Sequence, residues 1–113
     1  NFHIKSFDIN ILRSAYSVFG TDIEGYTFDT GKWDDAHIDK LKSIGINTDL
    51  CRVGIELRFD EYTESVAEKI RSAGFFAAAW GIQRRDFDEY ERVISWGVTE
   101  FTEDYHCSMG LNY

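Results

Sequence analysis

The chain has 113 residues, 43% hydrophobic and 16% aromatic, with a net charge of −8 from 12 basic and 20 acidic side chains. That length is one domain or part of one, and the apolar content suits a packed core and argues against disorder. The negative balance opposes non-specific nucleic-acid binding and docking on anionic lipid, and no apolar run approaches the roughly 20 residues that span a bilayer.

The opening Asn-Phe-His, with no initiator Met or basic-then-apolar leader, fits an excised or processed chain. Phe2 to Phe7 has the composition of a short strand. Asp8 then caps a helix with Ile9, Leu12, Ala15 or Tyr16, and Phe19 at helical spacing, closed by Gly20. Ile23 to Phe28 is the second strand, and Asp29-Thr30-Gly31 after it has turn chemistry. Asp34 or Asp35 caps a helix showing Ile38, Leu41 and Ile44, closed by Gly45. The third strand is expected over Asp49 to Ile55. Asp60 opens a helix with Tyr62, Val66, Ile70 and Ala73 on one face, closed by Gly74.

Phe75 to Trp80 is apolar without alternation, the pattern of a strand buried on both faces. A helix from about Asp86 presents Phe87, Tyr90, Val93 and Ile94 and stops at Gly97. Val98 to Phe101 is the last strand, followed by a polar tail. Gly20, Gly45, Gly74 and Gly97 recur at about one strand–helix unit, which gives an α/β chain with consecutive parallel strands and crossover helices. A closed barrel of this kind needs eight strands and about 250 residues. The chain is therefore either a smaller doubly wound domain or the last five units of a barrel.

Short motifs bear on that choice. They are Lys5-Ser6-Phe7-Asp8 at the end of the first strand, Ala73-Gly74 leading through an apolar strand to Trp80, and Gly97-Val98 leading to Asp104-Tyr105. In this order and spacing they resemble the C-terminal portion of the glycerophosphodiester phosphodiesterase family. The loop after Trp80 departs from that pattern: it reads Gly81-Ile82-Gln83 where the family has Thr-Val-Asn. Glu103 and His106 stand where the family has Thr and Pro.

The resemblance implies a TIM-type (β/α)8 barrel, of which residues 1–113 are the C-terminal part with about the last five strands and their helices. It also implies metal-dependent hydrolysis of a glycerophosphodiester-type small molecule. The divalent metal (Ca or Mg) and the acid/base histidines would belong to the first strands of the complete barrel, supplied by the same or a partner chain. This chain has no counterpart of those motifs, since His3, His37 and His106 stand in other contexts. It is expected to supply scaffold and substrate wall, with Ser6, Phe7 and Trp80 as substrate-binding residues and no catalytic or metal-ligating residue. The alternative is a non-catalytic, barrel-derived binding or assembly domain of a surface or virion protein.

Other residues have plainer readings. Arg52, in a strand run, could meet a phosphate but is better read as a buried structural ion pair with Glu24 or Asp49. Glu56 could be one acid of a barrel glycosidase, although Glu61 is not plausibly at a strand end and no second acid is identifiable. Asp104 would repel phosphate and reads as a turn residue. Arg84-Arg85 reads as a solvated loop. Cys51 and Cys107 are expected to be free thiols, and His106 beside Cys107 does not make a zinc site.

Overall fold

A computed structural model of the chain describes residues 2–83 and 85–102. The elements are β1 (His3–Ser6), α1 (Ile9–Phe19), β2 (Gly25–Gly31), α2 (Ala36–Lys42), β3 (Arg52–Arg58), a 3-10 turn (Phe59–Glu61), α3 (Glu64–Ser72), β4 (Phe76–Trp80), α4 (Phe87–Ser95) and β5 (Val98–Thr102). Side chains cap the helices as their sequence signals require. Asp8 accepts from the Asn10 N–H, Thr63 from Val66 and Asp86 from Glu89, each satisfying a donor that the first turn leaves unpaired; α2 differs, since Asp35 at its capping position makes no such bond and Asp34 before it accepts from Ala36. Gly74 and Gly97, with φ of 90° and 95°, take the left-handed conformation that closes a helix without a Cβ penalty.

The strands lie further along the chain than their composition indicated. β2 runs through the Asp29-Thr30-Gly31 segment that reads as a turn, and only Gly31 (φ 72°) ends it. β3 begins at Arg52, and Asp49 to Cys51 form the turn before it. Tyr62 precedes α3 rather than belonging to it, because Thr63 is the residue that caps.

All strands are parallel and stand in sequential order, β1-β2-β3-β4-β5. A doubly wound sheet reverses its order at a switch point. This sheet has no reversal, so the chain is wound one way, as in a barrel-like segment.

Successive strand residues point to opposite faces. One face carries Tyr26, Phe28, Val53, Ile55, Leu57, Ala77, Ala79 and Val98 into a single core with Leu12, Leu41, Ala67, Ile70 and Val93 of the helices. Burial of the larger of these, such as Leu12, Ile55 and Ile70, stabilises by about 1.5–3 kcal/mol each. Cys51 is a buried free thiol in that core, whereas Cys107 lies outside the described residues. On α4, Phe87 and Ile94 are exposed and Val93 alone is fully buried, so its apolar stripe is narrower than its spacing indicated. No helix among the described residues is long and apolar enough to cross a membrane.

Candidate functional site

The face away from the core is polar. Parallel register places its side chains in cross-strand rows: His3, Gly25 and Arg52; then Lys5, Thr27, Gly54 and Phe76; then Asp29, Glu56, Ala78 and Glu100; and, at the C-terminal ends, Arg58, Trp80 and Thr102. An extra residue in β5, where Ala77 pairs Val98 and Ala78 pairs Glu100, brings the Glu100 side chain onto this face. His3, Lys5, Thr27, Arg52, Glu56, Phe76, Ala78, Glu100 and Thr102 of these rows, with Glu24 and Phe101, line a groove of about 150 Å³, whereas Asp29, Arg58 and Trp80 stand on the same face outside its lining.

The N-terminal end of the groove is plugged. The Arg52 guanidinium lies 4.7 Å over the Phe76 ring and donates to Glu100 Oε2 at 2.7 Å. Arg52 is therefore an ion-pair residue as the sequence indicated, but its partner is Glu100 rather than Glu24 or Asp49, and the pair is exposed rather than buried. A partner 48 positions away is fixed by sheet register, which local spacing does not reveal. The absence of a side chain at Gly54 makes room for Phe76, since a Cβ there would collide with its ring. His3 shares a hydrogen bond with Thr27 Oγ1 and lies 3.5 Å from Glu24. Burial lowers its pKa despite the opposing pull of Glu24.

Glu56 is the centre of the groove. Its side chain is 2% exposed, and its Oε1 meets the Lys5 ammonium at 2.7 Å. Lys5 also donates to Thr102 Oγ1 at 3.0 Å. An ammonium has three donors, so one is left without a partner among the described residues, on a side chain 38% exposed. Beside Glu56, in register on β2, stands Asp29. Burial, and then the Glu56 charge, raise the Asp29 carboxyl above its ordinary value, with Lys5 opposing.

The C-terminal mouth carries Trp80, half-buried between Arg58 and Thr102 in register. Its indole Nε1 is buried without a hydrogen-bond partner among the described residues. The Cζ2 edge of the ring lies 3.9 Å from where a Cβ on Gly31 would sit, so the indole edge faces the end of β2. Phe7 follows β1 and is 81% exposed. Ser6 accepts from the Asp8 N–H at 3.0 Å, shaping the turn into α1. Of the three residues expected to meet substrate, Trp80 alone stands in a row of the polar face, and it is not among the residues that line the groove.

Glu61 is not the second acid of the groove: it accepts from the Trp33 N–H at 2.9 Å in the loop region. Sequence reasoning missed Lys5 as a groove residue and Asp29 as the register partner of Glu56. The available signal was the strict alternation Arg52-Val53-Gly54-Ile55-Glu56-Leu57-Arg58, which marks a strand with one polar face. Arg85 is exposed, while Arg84, Asp104, His106 and Cys107 lie outside the described residues.

The divalent ion implied by the resemblance does not fit the residues described. Among them no group of three or more His, Cys, Asp or Glu side chains converges, and Glu56 already faces an ammonium. What the groove can do chemically is hold an acceptor-rich ligand on Lys5 and place two carboxyl groups beside it. No protein-family model and no curated protein matches the chain.

Proposed function

We propose that the chain is the latter part of a TIM-type barrel hydrolase acting on phosphodiesters of glycerol-like alcohols. In this reading it supplies the substrate wall, and the remaining strands, from the same or a partner chain, supply the divalent metal and the acid/base histidines. The observation that carries it is the Lys5 ammonium, fixed by Glu56 and Thr102 and holding one donor without a partner among the described residues, in a chain of net charge −8. A pinned cation with a free N–H recognises an anionic oxygen as a point charge. Trp80 at the strand ends is an apolar wall for the alcohol, at the end where barrel enzymes act. The ordered Ser-Phe, Ala-Gly…Trp and Gly-Val…Asp-Tyr motifs add to this.

The full-length protein, given a glycerophosphodiester and Ca²⁺ or Mg²⁺, should release the alcohol and a phosphomonoester. Residues 1–113 by themselves should not. Absence of turnover by the full-length protein under both metals overturns the reading, and so does turnover by the isolated segment.

A non-catalytic assembly role has one observation in its favour. Phe7, Ile11 and Val18 are exposed along the β1–α1 edge, beside the edge-to-face pair Phe2–Phe19. That reading requires a full-length protein that self-associates and hydrolyses nothing.

A further inference from the structure

We propose that the two open edges of the sheet are the seats of three further strand–helix units of the same polypeptide. One unit adds its strand to β1 and packs its helix on Ile11 and Val18 of α1. Another adds its strand to β5 and packs its helix on Phe87 and Ile94 of α4, and the third joins them. The proposal rests on the barrel reading but not on its chemistry, and it names the surfaces at which the barrel closes.

Exposed apolar side chains mark both seats. Among the described residues, Phe2, Phe7, Ile11, Val18 and Phe19 belong to the β1–α1 region, and Phe87 and Ile94 to α4. The inner helices α2 and α3 expose no large hydrophobic residue, and Leu50, in the turn before β3, is the one remaining case. The helices with a neighbour on each side are polar outside, whereas those at the two ends keep an apolar flank.

The direction of each flank follows from helix geometry, in which successive residues turn by about 100°. On α1, Leu12 is fully buried, and Ile11 and Val18 both lie about 100–120° to one side of it. Arg13 lies about 100° to the other side, where its guanidinium donates to Oγ of Ser43, the residue that closes α2, at 2.9 Å. The Arg13 side therefore faces α2, and the Ile11–Val18 flank faces out past β1. On α4 the sides are exchanged. Val93 is fully buried, and Phe87 and Ile94 lie about 100–120° round in the sense opposite to that on α1. Arg92, on the other side, donates to the Phe59 and Tyr62 carbonyls ahead of α3. The Phe87–Ile94 flank therefore faces out past β5.

Both flanks stand beside open strand edges. β1 and β5 end the sheet, so each presents unpaired backbone groups among the described residues. A strand–helix unit covers such a pair at once, its strand on the edge and its helix on the flank. A helix alone would leave the edge open, and a strand alone would leave the flank.

The curl of the sheet sets the number. The Lys5–Thr102 bond holds β1 and β5 within about 12 Å, the reach of the two side chains and the bond between them. Strands four apart lie about 15 Å from each other in a round eight-stranded barrel and about 18 Å in a ten-stranded one. A second copy, bringing five strands, would hold the two edges nearly as far apart as a flat sheet does. Three units close the ring with an oval section. Three such units would have two open edges and little core by themselves, so they belong to the same polypeptide.

The test labels the full-length protein carrying Val18→Cys, Ile94→Cys or Glu68→Cys, the last on the exposed face of an inner helix. A sulfonated maleimide is the probe, and mass spectrometry of the labelled peptide separates these sites from Cys51 and Cys107. We expect Val18→Cys and Ile94→Cys to react about 10²-fold more slowly than Glu68→Cys at every protein concentration. In the wild type, the outward amides of β1 and β5 should resist hydrogen exchange as well as those of β3. Labelling as fast as in Glu68→Cys overturns the proposal, and so does slow labelling that becomes fast on dilution, the mark of a second copy. Slow labelling with unprotected edge amides overturns it too, since something other than a strand–helix unit then covers the flank. None of these outcomes depends on turnover, so a completed barrel that hydrolyses no phosphodiester overturns the phosphodiesterase reading alone.

Discussion

Lys5 on the first strand donates to Thr102 on the last, at 3.0 Å. Four strand spacings of about 4.8 Å put those edges about 19 Å apart in a flat sheet, which a lysine side chain cannot span. The sheet is therefore strongly curled, and its edges approach across the polar face. The same ammonium neutralises Glu56, so one side chain both bridges the groove and makes its buried carboxylate tolerable.

Removing that side chain should be costly for a stated reason. Lys5→Met leaves the Glu56 carboxylate buried without its cation, and breaking a fully buried pair this way costs about 3–5 kcal/mol. Because Lys5 is partly exposed, we expect about 2 kcal/mol, measured as a loss in urea stability. Thr102→Val removes only a neutral hydroxyl and should cost less than about 1 kcal/mol. The double variant Lys5→Met/Glu56→Gln should recover part of the Lys5→Met loss. Equal stability of Lys5→Met and wild type would show that the pair carries nothing.

Gly54 is required by its neighbour rather than by its backbone. A methyl group at this position meets the Phe76 ring head-on, and Phe76 in turn supports the Arg52 guanidinium. Gly54→Ala should therefore destabilise by about 1–3 kcal/mol through overpacking. Combining it with Phe76→Leu should return part of that loss. If the two losses simply add, the ring is not what Gly54 accommodates.

Tyr62 should show a smaller, cleaner effect. Its buried hydroxyl donates to the Ala78 carbonyl at 2.8 Å, tying the segment before α3 to β4. Burial raises the phenol well above its ordinary pKa, so it remains a donor through the physiological range. Tyr62→Phe should cost about 1 kcal/mol in thermal or urea unfolding, the net value of one hydrogen bond. A change within error would mean that the carbonyl is satisfied without it.

The order of elements was legible because it rests on local chemistry. Asp8, Thr63 and Asp86 cap, Gly20, Gly45, Gly74 and Gly97 close, and each runs into an apolar stretch. The boundaries of β2 and β3 were not. Asp29-Thr30-Gly31 is turn-like in isolation, yet Asp29 continues the strand in register with Glu56 of β3. The strand-end position of Trp80 was legible because an aromatic there stands out from Ala77-Ala78-Ala79. The Lys5, Asp29 and Glu56 cluster was missed because it is made by register between residues from three different strands. Nothing local to any one of them announces the other two. The same holds for Arg52, whose true partner Glu100 reaches the groove face only through the irregularity in β5.

The last expectation concerns acid sensitivity, and it follows from His37. The ring lies edge-on to Phe28 and Trp33, with Nε2 3.1 Å from the Lys32 carbonyl oxygen and Nδ1 buried without a partner among the described residues. A carbonyl only accepts, so Nε2 carries the proton and Nδ1 is a bare acceptor. Protonating Nδ1 would bury a charge, and burial accordingly lowers the His37 pKa against the pull of the Lys32 carbonyl and Asp34. The unfolded chain binds that proton first, near pH 6.5, while the folded chain resists until lower pH. The His37 contribution is thus fully present above about pH 6.5 and is lost as pH falls from there through the folded value. His3 acts in the same direction, whereas the raised Asp29 acts in the opposite one, costing stability as pH rises through its folded value. Comparing variants at the same two pH values removes those other contributions. His37→Gln keeps a donor for the Lys32 carbonyl and cannot titrate, so its urea midpoint should fall less than that of the wild type between pH 7.5 and pH 5.5. An equal fall in both proteins would show that His37 is not the group that senses the acid.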